Sequence, residues 1–484
     1  MIPNWLLKRA ALTPRARALS FEGKTWTYIE LKEEAVIRAN KLNALGLQRG
    51  NRIALLGATS AEMAMLIHGC MLAGVEMVLL NARLTVEEIE YQMKDSQSDL
   101  LLFDDAFSEK GRQANFRSVS YTNFLELEPI PMQLESMWEE DRVLTIMYTS
   151  GTTGFPKGVR QTAENHTASA LSAVLNSGLH EGDAWLHMMP LFHISGFSIL
   201  ARAVLYGTEV RLFEKFDAAV AAQEIVSGNV SGMSVVAVTL ERLLTVIEND
   251  NLLIHPKFRT MLVGGGPVPV SYLKRAGQCG LPVMQTYGMT ETSSQTATLS
   301  AEDALRKPGS AGKPLFFTDI RIEGAEEPFD KGEILIKGPH VTKGYIGKHV
   351  DKQATENGWL HSGDIGYFDE EGFLFVSDRR SDLIISGGEN IYPAEVEAVL
   401  VEHPNVLEAG VCAMPSEKWG AVPAAFIVAA NTVDLESLDA FCKQQLASYK
   451  VPKAFYITDE LPRNASNKLM RKTLRECVAE MNVE

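Results

Sequence analysis

The order of apolar patterns predicts an α/β protein, with a β-rich segment late in the chain and a smaller βα unit at its end. Three observations carry this. Helical and strand-like stretches alternate through residues 1–140, two glycine-rich turns follow apolar runs, and the texture changes to short strands near Ile320. Tyr28–Leu45 reads as a helix, Arg52–Leu56 as a strand, Ala61–Ala73 as a helix and Val75–Leu80 as a strand. Such alternation implies parallel sheets flanked by helices. Val143–Met147 is a short, partly β-branched run of the kind found in buried strands. Asn165–Leu175 and Phe197–Tyr206 are helical, the second apolar almost throughout. Ser234–Val238 and Thr260–Val263 read as strands, and the latter runs straight into Gly264, Gly265, Gly266 and Pro267. A glycine-rich turn at a strand's C-terminal end is where open sheets bind ligands.

From Ile320 to Lys337, and again at Phe373–Ser377, short strands and turns dominate. The end of the chain has its own rhythm: helix Ala394–Val401, strands Glu408–Val411 and Ala424–Val428, and helix Leu435–Ala447. The charged segment Ser377–Ser381 marks a boundary, giving an N-terminal portion of residues 1–378, a hinge at 379–381 and a C-terminal domain of 382–484.

A length of 484 residues suggests about three domain-sized units. With 46% hydrophobic and 22% charged residues, the composition is ordinary for a soluble enzyme with large cores. The net charge of -15 argues against nucleic acid as a partner, which needs a basic face. An anionic ligand must therefore be met by individually placed cations. Cys70, Cys279, Cys412, Cys442 and Cys477 are scattered, which suits a reducing cytosol and gives no zinc or disulfide pattern. The first ten residues carry charges within their apolar stretch and show no secretory pattern. Met63–Leu80 is interrupted by His68, Gly69, Gly74 and Glu76, and so reads as a buried helix and strand rather than a membrane span. The expectation is a cytoplasmic protein without stable membrane insertion, compatible with a homo-oligomer but not specifying one.

The strand at Val143–Met147 feeds a string that packs four hydroxyl side chains and three glycines around one lysine. These are Thr149, Ser150, Gly151, Thr152, Thr153, Gly154, Lys157 and Gly158. Backbone N–H groups and hydroxyls in such a turn cradle a polyanion, with the lysine as counter-charge. It is not a Walker A loop, because glycine follows the lysine and the Gly-x-x-x-x-Gly-Lys spacing is absent.

Further strings stand in order behind it: Gly264–Pro267, Gln285–Glu291, Ser362–Gly366, Asp378–Asn390 and Pro462–Lys468. Together they resemble the acyl-adenylate-forming superfamily of acyl-CoA synthetases, peptide-synthetase adenylation domains and firefly luciferases. The resemblance covers nearly the whole chain. It implies a large N-terminal portion of α/β subdomains and a small, mobile C-terminal α+β domain. It also implies a ligase that uses ATP, Mg²⁺ and coenzyme A on a small carboxylic acid. The carboxylate attacks the α-phosphate, giving acyl-AMP and pyrophosphate; a thiol then displaces AMP. Because an anion meets a polyanion, catalysis is mostly charge neutralisation and positioning.

By this resemblance Lys468 bridges the carboxylate and α-phosphate, from a loop rich in Pro, Asn and Ser. Glu291 holds Mg²⁺ and Thr290 bonds the α-phosphate. Tyr287 lies against adenine, with Gly288 and Met289 in the same nucleotide-binding string. Asp364 accepts the ribose hydroxyls and Arg379 adds a donor. Ser381 takes a hinge position where members commonly carry Asp or Lys, and Gly387 and Gly388 line the thiol's route. The segment Pro190–Phe197 resembles the one that opens the acyl pocket, with His193 either a gate and carboxylate contact or a structural histidine. Ser195, Ser198 and Arg202 follow an i, i+3, i+7 spacing and form one polar stripe on an apolar helix. If the stripe faces the pocket, the acid carries a second carboxylate; the alternative is an arginine snorkelling to water. An aryl or medium-chain fatty acid ligase, or a nucleotide-binding module without catalysis, are the competing functional readings.

Overall fold

A computed structural model of the chain describes residues 1–149, 156–266, 268–351, 353–379, 382–386, 389–416, 419–430, 433–446, 448–464 and 468–481. At 378, 379, 385, 389 and 390 it describes the backbone alone.

Among the described residues three sheets organise the molecule, beside a two-stranded pair of Ile2–Pro3 with Met137–Trp138. The first sheet has six strands, ordered Lys157–Thr162, Val143–Thr149, Glu76–Leu80, Arg52–Leu56, Leu100–Phe103 and Ser118–Ser120. Its parallel middle places Leu56 between Leu80 and Phe103. These strands are buried on both faces, which is why they read as unbroken apolar runs.

Helix Tyr28–Ala44 starts at a capping box, in which Thr27 N–H donates to Glu30 at 2.7 Å. It packs against Ala61–Ala73, which runs from a Ser60 cap to Gly74 at φ 73°. Twelve of the thirteen residues of Ala61–Ala73 are buried, so its all-round apolarity reflects a core position. Gly69 permits the close approach, since a Cβ there would lie 2.7 Å from Arg38 Cβ. Among the described residues no helix is long and apolar enough to cross a membrane.

The second sheet has fourteen strands. Glu209–Leu212, Ala184–His187, Gly232–Val235, Thr260–Val263 and Val283–Met289 run parallel. The sheet then continues antiparallel through Ser294–Leu299, Ser310–Pro314, Leu374–Arg379, Trp359–Phe368, Gly332–Lys337 and Asp319–Ile322. The expected β-rich segment is thus an extension of the central sheet. The strand expected over Ser234–Val238 ends at Val235, and a helix occupies Ala237–Asn249. Two causes are visible: Thr239 Oγ1 accepts the Val236 N–H at 3.0 Å, and Leu240, Leu243, Leu244 and Ile247 bury one helical face.

The C-terminal unit has a five-stranded sheet built on the long hairpin Val406–Ser416 with Gly420–Ala429, covered by helices Pro393–Leu400, Leu435–Gln445 and Arg471–Met481. Its own core includes Val396, Leu400, Val411, Ile427, Leu438 and Cys442. The charged boundary segment begins as sheet, because Leu374–Arg379 is a strand through Arg379. Ser381, expected at a hinge, lies outside the described residues.

Five histidines lie in apolar surroundings. Burial pushes His68, His187, His193 and His340 down to about 4 and His166 to about 3. The unfolded chain therefore takes up protons that the native state excludes. Stability is full above the ordinary histidine value and falls as pH drops toward 4. The urea midpoint should decline steadily between pH 7 and pH 5, with net proton uptake on unfolding at pH 5 that is absent at pH 8.

Candidate active site

The string expected to bind an anion is flanked by two paired strands. Val143–Thr149 and Lys157–Thr162 pair antiparallel, with Lys157 directly opposite Thr149. Ser150, Gly151, Thr152, Thr153 and Gly154 lie outside the described residues. The half-buried Lys157 sits with Nζ 5.4 Å from the centre of the Tyr345 ring. Tyr345 is buried, bridges Val159 through its backbone and reaches Glu291 with its hydroxyl. Burial, then the Glu291 carboxylate, raise the phenol's affinity for its proton.

Gly264 and Gly265 follow strand Thr260–Val263, and Gly265 takes φ 85°. Gly266 completes the described part of the turn; Pro267 lies outside it. Strand Val283–Met289 presents Tyr287, Gly288 and Met289, and a 3₁₀ turn at Thr290–Thr292 carries Thr290 and Glu291. Gly288 occupies an irregularity in the pairing where a Cβ would meet Ser294 O at 1.7 Å, so no other residue fits. The turn is held from below. Thr145 donates to Gln161 Oε1 at 2.7 Å, Gln161 Nε2 donates to the Thr290 carbonyl at 2.8 Å, and His166 Nε2 lies 2.8 Å from Thr145 Oγ1. Thr342 N–H donates to the Glu291 carbonyl at 2.8 Å. The hairpin and the Thr290–Glu291 turn thus form one hydrogen-bonded body.

Asp364 is buried in strand Trp359–Phe368, and Tyr287 donates its hydroxyl to Asp364 Oδ2 at 2.7 Å. Backbone register places Arg379 opposite Asp364. The phenol expected against adenine and the carboxylate expected on ribose are therefore neighbours, although 77 residues separate them in sequence.

His193 caps helix Ile194–Tyr206: its Nδ1 accepts the Ser195 N–H at 3.2 Å and lies 2.8 Å from Ser195 Oγ. With burial holding the ring neutral, Nδ1 is the acceptor and Nε2 carries the proton. Further along this helix Ser198 and Arg202 are buried, which excludes an arginine that snorkels to water. Arg202 Nε donates to the Ser198 carbonyl at 3.2 Å, and the guanidinium lies 5.2 Å above the Trp185 ring. Trp185 can lie there because residue 232 is glycine; a Cβ would be 2.5 Å from the ring. Arg202, Trp185, Tyr206, Leu262, Met284 and Gln295 line a pocket with about 440 Å³ of empty volume. No described carboxylate pairs with Arg202, and burial lowers its proton affinity.

In the C-terminal domain, Lys468 is hydrogen-bonded to Asn464 in both directions. Asn464 Oδ1 accepts the Lys468 N–H at 2.9 Å, and Asn464 N–H donates to the Lys468 carbonyl at 2.8 Å. Nearby Arg463 and Glu408, an ion pair, act electrostatically on Tyr272. Tyr272 belongs to helix Val270–Gln278, which follows the Gly264–Pro267 turn. Gly387 and Gly388 lie outside the described residues.

Residues 6–346 match the AMP-binding enzyme family and residues 395–468 its C-terminal domain. The chain belongs to the AMP-binding enzyme family. It is 49% identical to 2-succinylbenzoate–CoA ligase of Bacillus licheniformis, over 98% of this chain and 99% of that one. Among solved structures it resembles o-succinylbenzoate CoA synthetase of Bacillus subtilis. With that enzyme's acyl-adenylate complex it gives a TM-score of 0.93 at 45% identity over 98% of both chains. With its complex of ATP and magnesium ion the TM-score is 0.92 at 45% identity, over 98% of this chain and 99% of that one. A double mutant of that enzyme bound to a product analogue gives 0.76 at 46% identity, again over 98% of both chains. The fold is that of the acyl-CoA synthetases, mixed α/β with a large N-terminal and a small C-terminal domain.

Sequence reasoning missed Gln161, Tyr345, Trp185 and Glu333. The one available signal was Glu333, a charged residue inside the apolar strand Gly332–Lys337. Replacing Gln161 with Leu strips the buried Thr290 carbonyl of its donor, which should destabilise the protein by about 1–3 kcal/mol. Urea unfolding checks this, and the KM for ATP should rise with it.

Proposed function

We propose that this AMP-binding enzyme is a 2-succinylbenzoate–CoA ligase, converting 2-succinylbenzoate, ATP and CoA into 2-succinylbenzoyl-CoA, AMP and pyrophosphate as a cytoplasmic step of menaquinone biosynthesis. The observation that carries the substrate is Arg202, buried in the pocket on an aromatic face without a described carboxylate partner. The substrate is an aryl keto-dicarboxylate. Its ring carboxylate pairs with Arg202, and its succinyl carboxylate is the one activated. The resemblance to 2-succinylbenzoate–CoA ligases along nearly the whole chain supports the same acid.

In the first half-reaction the succinyl carboxylate attacks the α-phosphorus and the bond to pyrophosphate breaks. Lys157 and the hairpin turn hold the leaving pyrophosphate. Lys468 and Thr290 neutralise charge gathering at the α-phosphate, and His193 Nε2–H donates toward the carboxylate being activated. Tyr287 and Asp364 hold the nucleoside. Glu291 fits as the protein's ligand to Mg²⁺: it is a half-buried carboxylate beside Thr290, the hard oxygen donor that this cation takes together with phosphate oxygens. When bound, Mg²⁺ supplies charge neutralisation on those oxygens. In the second half-reaction the CoA thiol attacks the acyl carbonyl and AMP leaves. Rotation at 379–381 would withdraw Lys468 and bring Gly387 and Gly388 to the thiol's route.

Lys468→Ala should abolish ATP–pyrophosphate exchange yet leave conversion of pre-made acyl-AMP to thioester largely intact; near wild-type exchange would refute the assignment. Arg202→Leu should raise the KM for 2-succinylbenzoate by roughly 10- to 100-fold, the loss of a charge-assisted bond, with little change for ATP. Pyrophosphate release over a panel of acids, with and without CoA, tests the substrate directly. Benzoate or straight-chain acids turned over as well as the dicarboxylate would overturn it.

A further inference from the structure

Strand Gly332–Lys337 pairs with Trp359–Phe368 through an irregular register. Glu333 stands opposite Ile365, yet Leu335 stands opposite His361, so Ile334 alone faces Ser362, Gly363 and Asp364. The segment read as the ribose motif is a bulge. Bulges re-aim side chains beside active sites, but they leave backbone groups without ladder partners. Glu333 supplies one of those partners. Its side chain is 7% exposed; Oε1 accepts the Gly363 N–H at 2.9 Å and Oε2 lies 3.2 Å from His361 Nδ1. Gly363 takes φ 73°, so the direction of its N–H and the start of residue 364 are set together. On the other side, Ser362 Oγ accepts the Asp364 N–H at 3.0 Å and Tyr287 holds the carboxylate.

A buried carboxylate is costly where an apolar residue would serve simple packing. We infer that Glu333 is a positioning residue for nucleotide recognition: it grips the bulge at Gly363 so that Asp364 meets the ribose hydroxyls. This rests on the reading of Asp364 as the ribose acceptor. Glu323, whose carboxylate shares this cluster with Glu333 and His361, is exposed and makes no such backbone bond among the described contacts.

Pyrophosphate release measured with ATP and with 2′,3′-dideoxy-ATP separates positioning from simple destabilisation. Glu333→Ala should lower kcat/KM for ATP by about tenfold, the value of one charge-assisted hydrogen bond, and leave that for the dideoxy nucleotide almost unchanged. Glu333→Asp, which withdraws the oxygens by one methylene, should lose preference for ATP in the same direction. Glu333→Gln, which keeps an oxygen at the original reach, should retain it. Equal losses with both nucleotides, or a Glu333→Asp variant with wild-type preference, would overturn the inference. Asp364→Ala is the control. If that variant still prefers ATP, the ribose reading of Asp364 itself fails and the role of Glu333 falls with it.

Discussion

The candidate site exists because the edge hairpin of one sheet is hydrogen-bonded into the other. Gln161, on the outer strand of that hairpin, donates to the Thr290 carbonyl. The Glu291 carbonyl in turn receives the Thr342 N–H, and Ile346 N–H donates back to Gly158 at 2.9 Å. These bonds are buried or nearly so, where leaving a partner unmade costs more than making the bond gains. The lysine expected on pyrophosphate and the carboxylate expected on magnesium come from different sheets. Their separation is nevertheless set by this one seam, with Tyr345 standing between them.

Substrate choice is arranged by other means. The pocket helix Ile194–Tyr206 is apolar because it is buried, and its charge is stabilised by an aromatic face and a backbone carbonyl. Neither neutralises it. On the proposed reading, a preorganised cation without a described anionic partner is poised for one, and an acid without a second carboxylate would enter leaving that cost unrelieved. On that reading, selection works as much by penalty as by attraction.

How much of this could be read from the sequence differs by residue. Strands and helices with strong periodicity lie where the pattern predicts, from Tyr28–Ala44 to Leu435–Gln445. The motif residues were legible because their order along the chain is distinctive. Arg202 was legible as part of a stripe, since i, i+3, i+7 is local geometry. Trp185 beneath it was not, because the contact depends on the absent side chain at Gly232, on a neighbouring strand. Gln161 looks like any polar strand residue; its partner is 129 residues away. The bulge at Ser362–Asp364 depends on cross-strand register, which composition does not encode. The strand expected over Ser234–Val238 stops at Val235, which shows the limit of β-branched propensity where a helical face begins.

The outer hairpin strand Lys157–Thr162 is the last strand of its sheet, and such an edge is a template for pairing with other chains. Here it is covered. Arg160 N–H donates to the Gly344 carbonyl, the Arg160 carbonyl accepts the Thr342 hydroxyl, and Val159 bridges Tyr345. The contacts that join the hairpin to the Thr290–Glu291 turn are thus neighbours of those that cover this edge. Damage to this seam would uncover a pairing edge as well as loosen the candidate site.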